Sequence, residues 1–316
     1  MNKGYIMVVL FILSLFIYMN NNALAAEHSP KKTKTRFLSK KKISNYIRNL
    51  ISRTPIYTLF ANPDNNNNNN NNKQPIPFVC TKRSEIKKAE NVMEEAIERL
   101  KEHAIHSNDY NLHYCYANEI DIYRKRHKYV IVDKIDIEIN NTDKYEEIID
   151  TLSNFNNNLY SFVTVKGKVV REYNPNLVMI QQHFTDMSDP SFKGYLYALA
   201  VKRKVSEDTT IIALTSPNVN DHNYVDKNLF KNAIVESANS FVTDVDPEDY
   251  IRKRDLSKMF VHLSGYIIQK KSKSIQITSI NAIEVDYRNA PKLIEESFRG
   301  DKLTILINLK NKYSMK

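Results

Sequence analysis

The chain predicts an α+β fold, a strongly bent antiparallel sheet with helices packed in it or at its ends. Three observations carry that expectation. The stretch SEIKKAENVMEEAIERLKEHAI (84–105) has apolar residues at helical spacing, the text from Phe162 onward is nearly all strand-patterned, and the last fifty residues read strand, turn, strand, turn, helix.

From the N-terminus, Lys3 precedes an apolar run from Ile6 to Tyr18, followed by Ala23-Leu24-Ala25. A basic start, a short apolar run and an A-x-A site make residues 1–25 a secretory signal peptide, too short to span a bilayer. No later run of eighteen apolar residues occurs, so no transmembrane anchor is expected beyond it. Residues 26–79 hold nine Lys/Arg between Lys31 and Arg53 and the asparagine run Asn65–Asn72. Such a stretch buries too little apolar surface to offset its chain entropy and reads as a disordered linker. Within it, Ile43, Tyr46, Ile47, Leu50 and Ile51 share one helical face, which would suit a membrane surface or a partner as well as a loose pro-segment.

Residues 1–79 contain 11 of the 46 Lys+Arg but only 2 of the 36 Asp+Glu. The basicity therefore sits in the tail and residues 80–316 are nearly neutral, with no basic stripe among stacking aromatics, so nucleic acid is not expected as a partner.

Residues 80–316 suffice for one core. Ser84 is the expected N-cap of the first helix, whose stripe is Ile86, Ala89, Met93, Ala96, Ile97, Leu100 and Ala104. Strand runs follow at Glu119–Arg124 and Tyr129–Ile139, then a short helix, DKYEEIIDTLSNF, capped by Thr142. The later strands are FVTVKGKVVREY, NLVMIQQHF, KGYLYALAVKRKV, TTIIALTSP and NAIVESANSFVTDV, and the terminal hairpin pairs MFVHLSGYIIQ with SIQITSINAIE. After Pro291 the closing helix carries Leu293, Ile294, Phe298, Leu303, Ile305, Leu306, Ile307 and Leu309 on nearly all sides. A helix apolar all round must be wrapped, either filling the sheet solidly or lidding a cavity for an apolar ligand. Gly300 and the β-branched run Thr304–Ile307 are poor helix formers, which places an expected break near Arg299–Asp301.

The chemistry on offer is sparse, and no enzyme is expected. Five unclustered glycines give neither a phosphate cradle nor a dinucleotide fingerprint. Ser216, Asp221 and His222 lie in a Pro-Asn loop without a nucleophile elbow. His103, His106 and His113 lack a zinc-ligand spacing, so neither metal nor other cofactor is expected. Cys80 and Cys115 flank the first helix and would either clamp its two ends as a disulfide or stay as thiols. Among nineteen tyrosines, Tyr195, Tyr197 and Tyr266 fall inside strands, where each offers an apolar ring and one hydroxyl to an amphiphile's head, or inward to protein. Arg171, Lys193 and His262 are candidates for an inward-facing polar group.

The segments REYNPNLVMIQQHF, TTIIALTSPNVNDHN, IVESANSFVTDVDPEDYIRK and HLSGYIIQ closely resemble the fam-a family of rodent malaria parasites, which is itself similar to the StAR-related lipid-transfer (START) superfamily. The proline-led APKLIEESF resembles the start of the terminal helix in START domains. The resemblance implies a helix-grip fold over residues 80–316, with the antiparallel sheet bent around the C-terminal helix over a lipid tunnel. It further implies a phospholipid cargo, phosphatidylcholine in particular, transient contact with membranes, a monomer, and export towards the host red cell. Lys193 stands roughly where START domains carry a tunnel-facing basic residue. Arg36-Phe37-Leu38-Ser39-Lys40 resembles the parasite export element but has Lys40 where an acidic residue or Gln belongs. On this reading Ile294 and Phe298 face the lipid and Gly300 is the gate. The alternative is a non-catalytic, exported or surface-displayed interaction module with a filled core.

Overall fold

The computed structural model describes residues 78–105, 109–116, 120–154, 163–187, 191–223, 230–253, 256–285 and 292–314. The expected signal peptide and nearly all of the expected linker lie outside them.

The chain runs through β1 (Phe78–Val79), α1 (Arg83–Ile105), β2 (Asn111–Tyr116), β3 (Ile120–His127), β4 (Val130–Ile139), α2 (Tyr145–Ser153), β5 (Val163–Asn174), β6 (Leu177–Asp186), β7 (Lys193–Ser206) and β8 (Thr209–Thr215). It continues through β9 (Asn218–Asn220), β10 (Val242–Asp244), the single-turn α3 (Asp249–Arg252), β11 (Ser257–Lys270), β12 (Ile275–Val285) and α4 (Lys292–Ser314). Ten strands form one sheet in the order β1-β5-β6-β7-β8-β11-β12-β4-β3-β2. All pairings are antiparallel except β1 with β5 and a short contact between the starts of β7 and β11. Strands β9 and β10 make a separate parallel pair. Register shifts in β5, in β11 between Val261 and Leu263, and in β2 bend the ladder, as bulges do. The result is the large curved sheet that the strand-rich text predicts.

Period-2 alternation divides the strands between two faces. One face packs under α1, whose Ala89, Val92, Met93, Ala96, Ile97 and Leu100 are buried against Leu177, Met179, Tyr195, Tyr197, Leu199, Val201, Ile211, Ala213 and Leu263. The intervening residues, among them Gln182, Phe184, Leu196, Leu214 and Tyr266, turn to the other face, where α4 lies. Burying both faces explains why β7 reads as the near-continuous apolar run GYLYALAV (194–201).

Four details differ from expectation. Ser84 lies inside the first turn of α1, and the Lys82 carbonyl accepts the amides of Glu85 and Ile86 at 3.0 and 3.1 Å instead. Thr142 opens a 3-10 turn, Thr142–Lys144, ahead of α2 instead of capping it. The run NAIVESANSFVTDV is not one strand: only Val242–Asp244 is extended in a ladder, after a 3-10 turn at Glu236–Ser240. Asn232 redirects that segment, because its side-chain oxygen accepts the amides of Ile234 and Val235 at 3.0 and 2.9 Å and offers the backbone an alternative to pairing. The helix α4 runs through Gly300 without a break. Ile305, Leu306 and Ile307 are buried, so tertiary packing overrides their weak helix propensity.

Of the two alternatives open for the cysteines, the structure has the thiols, which are not bonded to each other. Cys80 hydrogen-bonds to Glu172 of β5 at one edge of the sheet, while Cys115 lies in β2 at the opposite edge. A helix of 23 residues is about 35 Å long, against the roughly 4.4 to 6.8 Å between Cα atoms that a disulfide spans.

Candidate functional site

The site is the space between α4 and the sheet face beneath it. From Phe298 to Leu309 the helix buries Phe298, Arg299, Asp301, Leu303, Ile305, Leu306, Ile307 and Leu309, so it is enclosed on nearly all sides. Polar ties in both halves hold it. In the N-terminal half, Arg299 donates to Asp133 of β4 at 2.5 Å, and Asp133 also takes Arg124 at 2.6 Å; the Arg299–Asp133 pair is buried. In the last turn, Glu147 of α2 accepts Tyr313 at 2.8 Å and Lys312 at 3.2 Å, with Lys144 on its other oxygen at 2.9 Å.

Those three donors, Lys144 first, hold the Glu147 carboxyl at about 2. A carboxyl whose folded value is depressed contributes above its unfolded value near 4.5 and loses that contribution as pH falls through the folded one. Acidification from about pH 4.5 towards 2 is therefore expected to loosen the last turn of α4. Hydrogen exchange at Asn311–Ser314 should rise over this window, and Glu147→Gln should give the loosened behaviour at neutral pH.

A cavity of about 40 Å³ remains between sheet and helix. Leu152, Phe184, Leu196, Leu214, Val261, Ile283, Phe298 and Ile305 make its apolar wall, and Asn154, Gln182, Ser264, Tyr266 and Lys302 its polar part. Phe184 and Phe298 meet edge to face with centroids 4.8 Å apart, closing one side. Tyr266 is buried, and the Lys302 ammonium lies 5.7 Å from its ring centre. The volume suits one or a few waters. It is far below the roughly 300 to 1,000 Å³ of small-molecule sites.

Of the residues singled out in the sequence, Tyr266 and Phe298 meet at this cavity. Gly300 lies on α4 between Phe298 and Lys302, and its carbonyl accepts Thr304 at 3.0 Å. The side chain of Ile294 lies outside the described residues. The other candidates sit elsewhere. Tyr195 and Tyr197 pack on the α1 face; Tyr195 donates to Asp221 at 2.9 Å, and Lys258 reaches the same carboxylate at 2.7 Å. His262 is fully buried at the β11 bulge: its Nδ1 accepts the Ala233 amide at 3.1 Å and its Nε2 faces Glu284 at 2.8 Å, which fixes the 230–240 segment to the sheet. Arg171 ties β5 to α1 through Glu85 at 2.6 Å, and Lys193 is exposed at the start of β7. Sequence reasoning missed Gln182, Ser264 and Lys302; Gln182 and Ser264 are polar residues interrupting strand runs that are otherwise apolar on the α4 face, and that interruption is the available signal.

The loop residues Ser216, Asp221 and His222 do not assemble. Ser216 Oγ donates to the Tyr197 carbonyl at 2.6 Å and accepts the Val261 amide at 2.9 Å, a purely structural knot. Among the described residues no three metal-ligating side chains group together, and no helix is long and apolar enough to cross a membrane.

No protein-family model and no curated protein matches the chain. Among solved structures, human StAR-related lipid transfer protein 5 aligns with a TM-score of 0.52 at 10% identity, over 72% of this chain and 97% of that one. The fold is the START-like helix-grip. Human STARD10 also aligns, with a TM-score of 0.44 at 14% identity over 67% of this chain and 78% of that one. So does the human StarD13 lipid transfer and protein localization domain, at 0.42 and 12%, over 69% and 95%. In helix-grip terms, α4 is the gripped helix, β4, β5 and β12 are among the strands it packs against, and the cavity lies where the grip is incomplete.

Proposed function

We propose that this helix-grip protein binds and carries a lipid beneath α4, without chemistry. The observation that carries the reading is the recess beneath α4, an apolar wall that carries a small group of polar side chains, Gln182, Ser264 and Tyr266 among them. A few polar groups in an apolar recess are what an amphiphile's head and chains require. A cavity of 40 Å³ holds no phospholipid, so loading requires α4 to move outward, with Gly300 as the point of give. A phospholipid cargo, phosphatidylcholine in particular, a monomeric carrier meeting membranes transiently, secretion, export to the host cell and membership of the fam-a family are the finer parts of the proposal, and they rest on the resemblance described above.

The test is lipid extraction from the purified protein with mass spectrometry, alongside transfer between liposomes. A stoichiometric lipid and measurable transfer are expected, with Gly300→Ala slowing transfer while bound lipid stays unchanged. Recovering no lipid and no transfer would sink the carrier reading.

The small cavity favours a second reading, an interaction module whose filled core presents the segment that follows β9, Asp221–Asn223. Its mark would be a protein that stays lipid-free through purification and loses nothing when the cavity is filled by Ser264→Val.

A further inference from the structure

On the sheet face away from α4, Gln181 of β6 and Tyr197 of β7 stand directly opposite each other. Both are buried, at 0% and 2% exposure. The orientation of the Gln181 amide is set by its neighbours. Its nitrogen donates to Glu248 Oε2 at 2.9 Å and lies beside His183 Nε2. A flipped amide would press its oxygen against the Glu248 carboxylate, so the nitrogen must face that way, and His183 accepts its second hydrogen with the ring proton on Nδ1. Burial lowers the His183 pKa and keeps the ring neutral.

That assignment leaves Gln181 Oε1 with no partner, and the Tyr197 hydroxyl has none either. The two are chemically complementary, one an acceptor and the other a donor. Burial, reinforced by the Asp221 and Glu248 carboxylates, raises the Tyr197 pKa, so its proton stays in place. The flanking charges are already matched, Asp221 with Lys258 and Glu248 with Lys168. A further ion has no charge to answer, whereas a neutral molecule that accepts one hydrogen bond and donates another does.

We propose that Tyr197 and Gln181 hold a single buried water that bridges β6 and β7 on the α1 face. Buried waters of this kind satisfy polar groups that the chain cannot pair for itself. Through the Gln181 amide the water would join the sheet to Glu248, the residue that leads into α3. This site is independent of the lipid reading, because it lies on the opposite face.

A high-resolution crystal structure of the full chain, with Tyr197→Phe beside it, is the test. Wild type should show one ordered water within about 3 Å of both Tyr197 Oη and Gln181 Oε1, absent in the variant, and Tyr197→Phe should melt about 2 to 4 °C lower. The sign of the shift discriminates: deleting a hydroxyl that is truly unpaired removes a desolvation penalty and leaves the melting temperature unchanged or higher. Either that result or the lack of density in wild type would overturn the proposal.

Discussion

Gly265→Ala is expected to abolish the soluble folded protein. Gly265 lies in mid-β11, opposite Ala213 of β8. A Cβ built there would sit 2.2 Å from the Ile212 carbonyl oxygen and 3.1 Å from the Ala213 Cα, both backbone atoms of a central strand that cannot retreat. The two strands pass too closely for any side chain, so the sheet must part or β11 must shift register. The expected loss exceeds about 4 kcal/mol, read as missing soluble yield or as a collapse of the urea midpoint. Gly194→Ala is the internal control: its Cβ would meet the Met259 sulfur at 2.8 Å and the edge of the Phe192 ring at 3.2 Å, side-chain atoms rather than backbone, which makes the clash the milder one. A Gly265→Ala protein as stable as Gly194→Ala would refute the clash.

Asp133→Ala should cost about 3 to 5 kcal/mol, the range for breaking a buried ion pair from one side. The carboxylate is shared by Arg124 and Arg299 and is 5% exposed, so its removal strands positive charge under α4. Asp133→Leu combined with Arg299→Met should recover most of that loss, because well-packed apolar groups commonly replace a buried pair at no net cost. Denaturant unfolding of the single and double variants gives the coupling directly; a single variant within about 1 kcal/mol of wild type would show that the clamp carries no weight.

The strands β5 to β8 and β11 to β12 and the helices α1 and α4 were legible because each repeats a period long enough to read. What escaped was set by tertiary contact. Nothing in AIVE tells the reader that Asn232 and His262 will hold it as a loop, and the short β2 has no alternating pattern because its first three residues, Asn111–His113, are exposed. Gly300 looked like a helix end only because propensity is local, whereas the burial of Ile305 to Ile307 is not. The candidate site was half legible. Alternation told which tyrosines share a face, since Tyr195 and Tyr197 must lie together, but it could not tell which face α4 would take. Tyr266 ended beneath α4 and the other two beneath α1.

The placement of α4 after all twelve strands in chain order also bears on how the protein is made. The sheet is complete in sequence before the segment that covers its second face has been synthesised. Until then Phe184, Leu196, Leu214 and Ile283 of that face, which line the cavity with α4, have no cover of their own. Long-range strand pairing is slow, and exposed apolar faces of such intermediates associate with one another. The nascent chain therefore passes through a stage at which its own last helix competes with other apolar surfaces for that face, and the stage ends only when α4 docks.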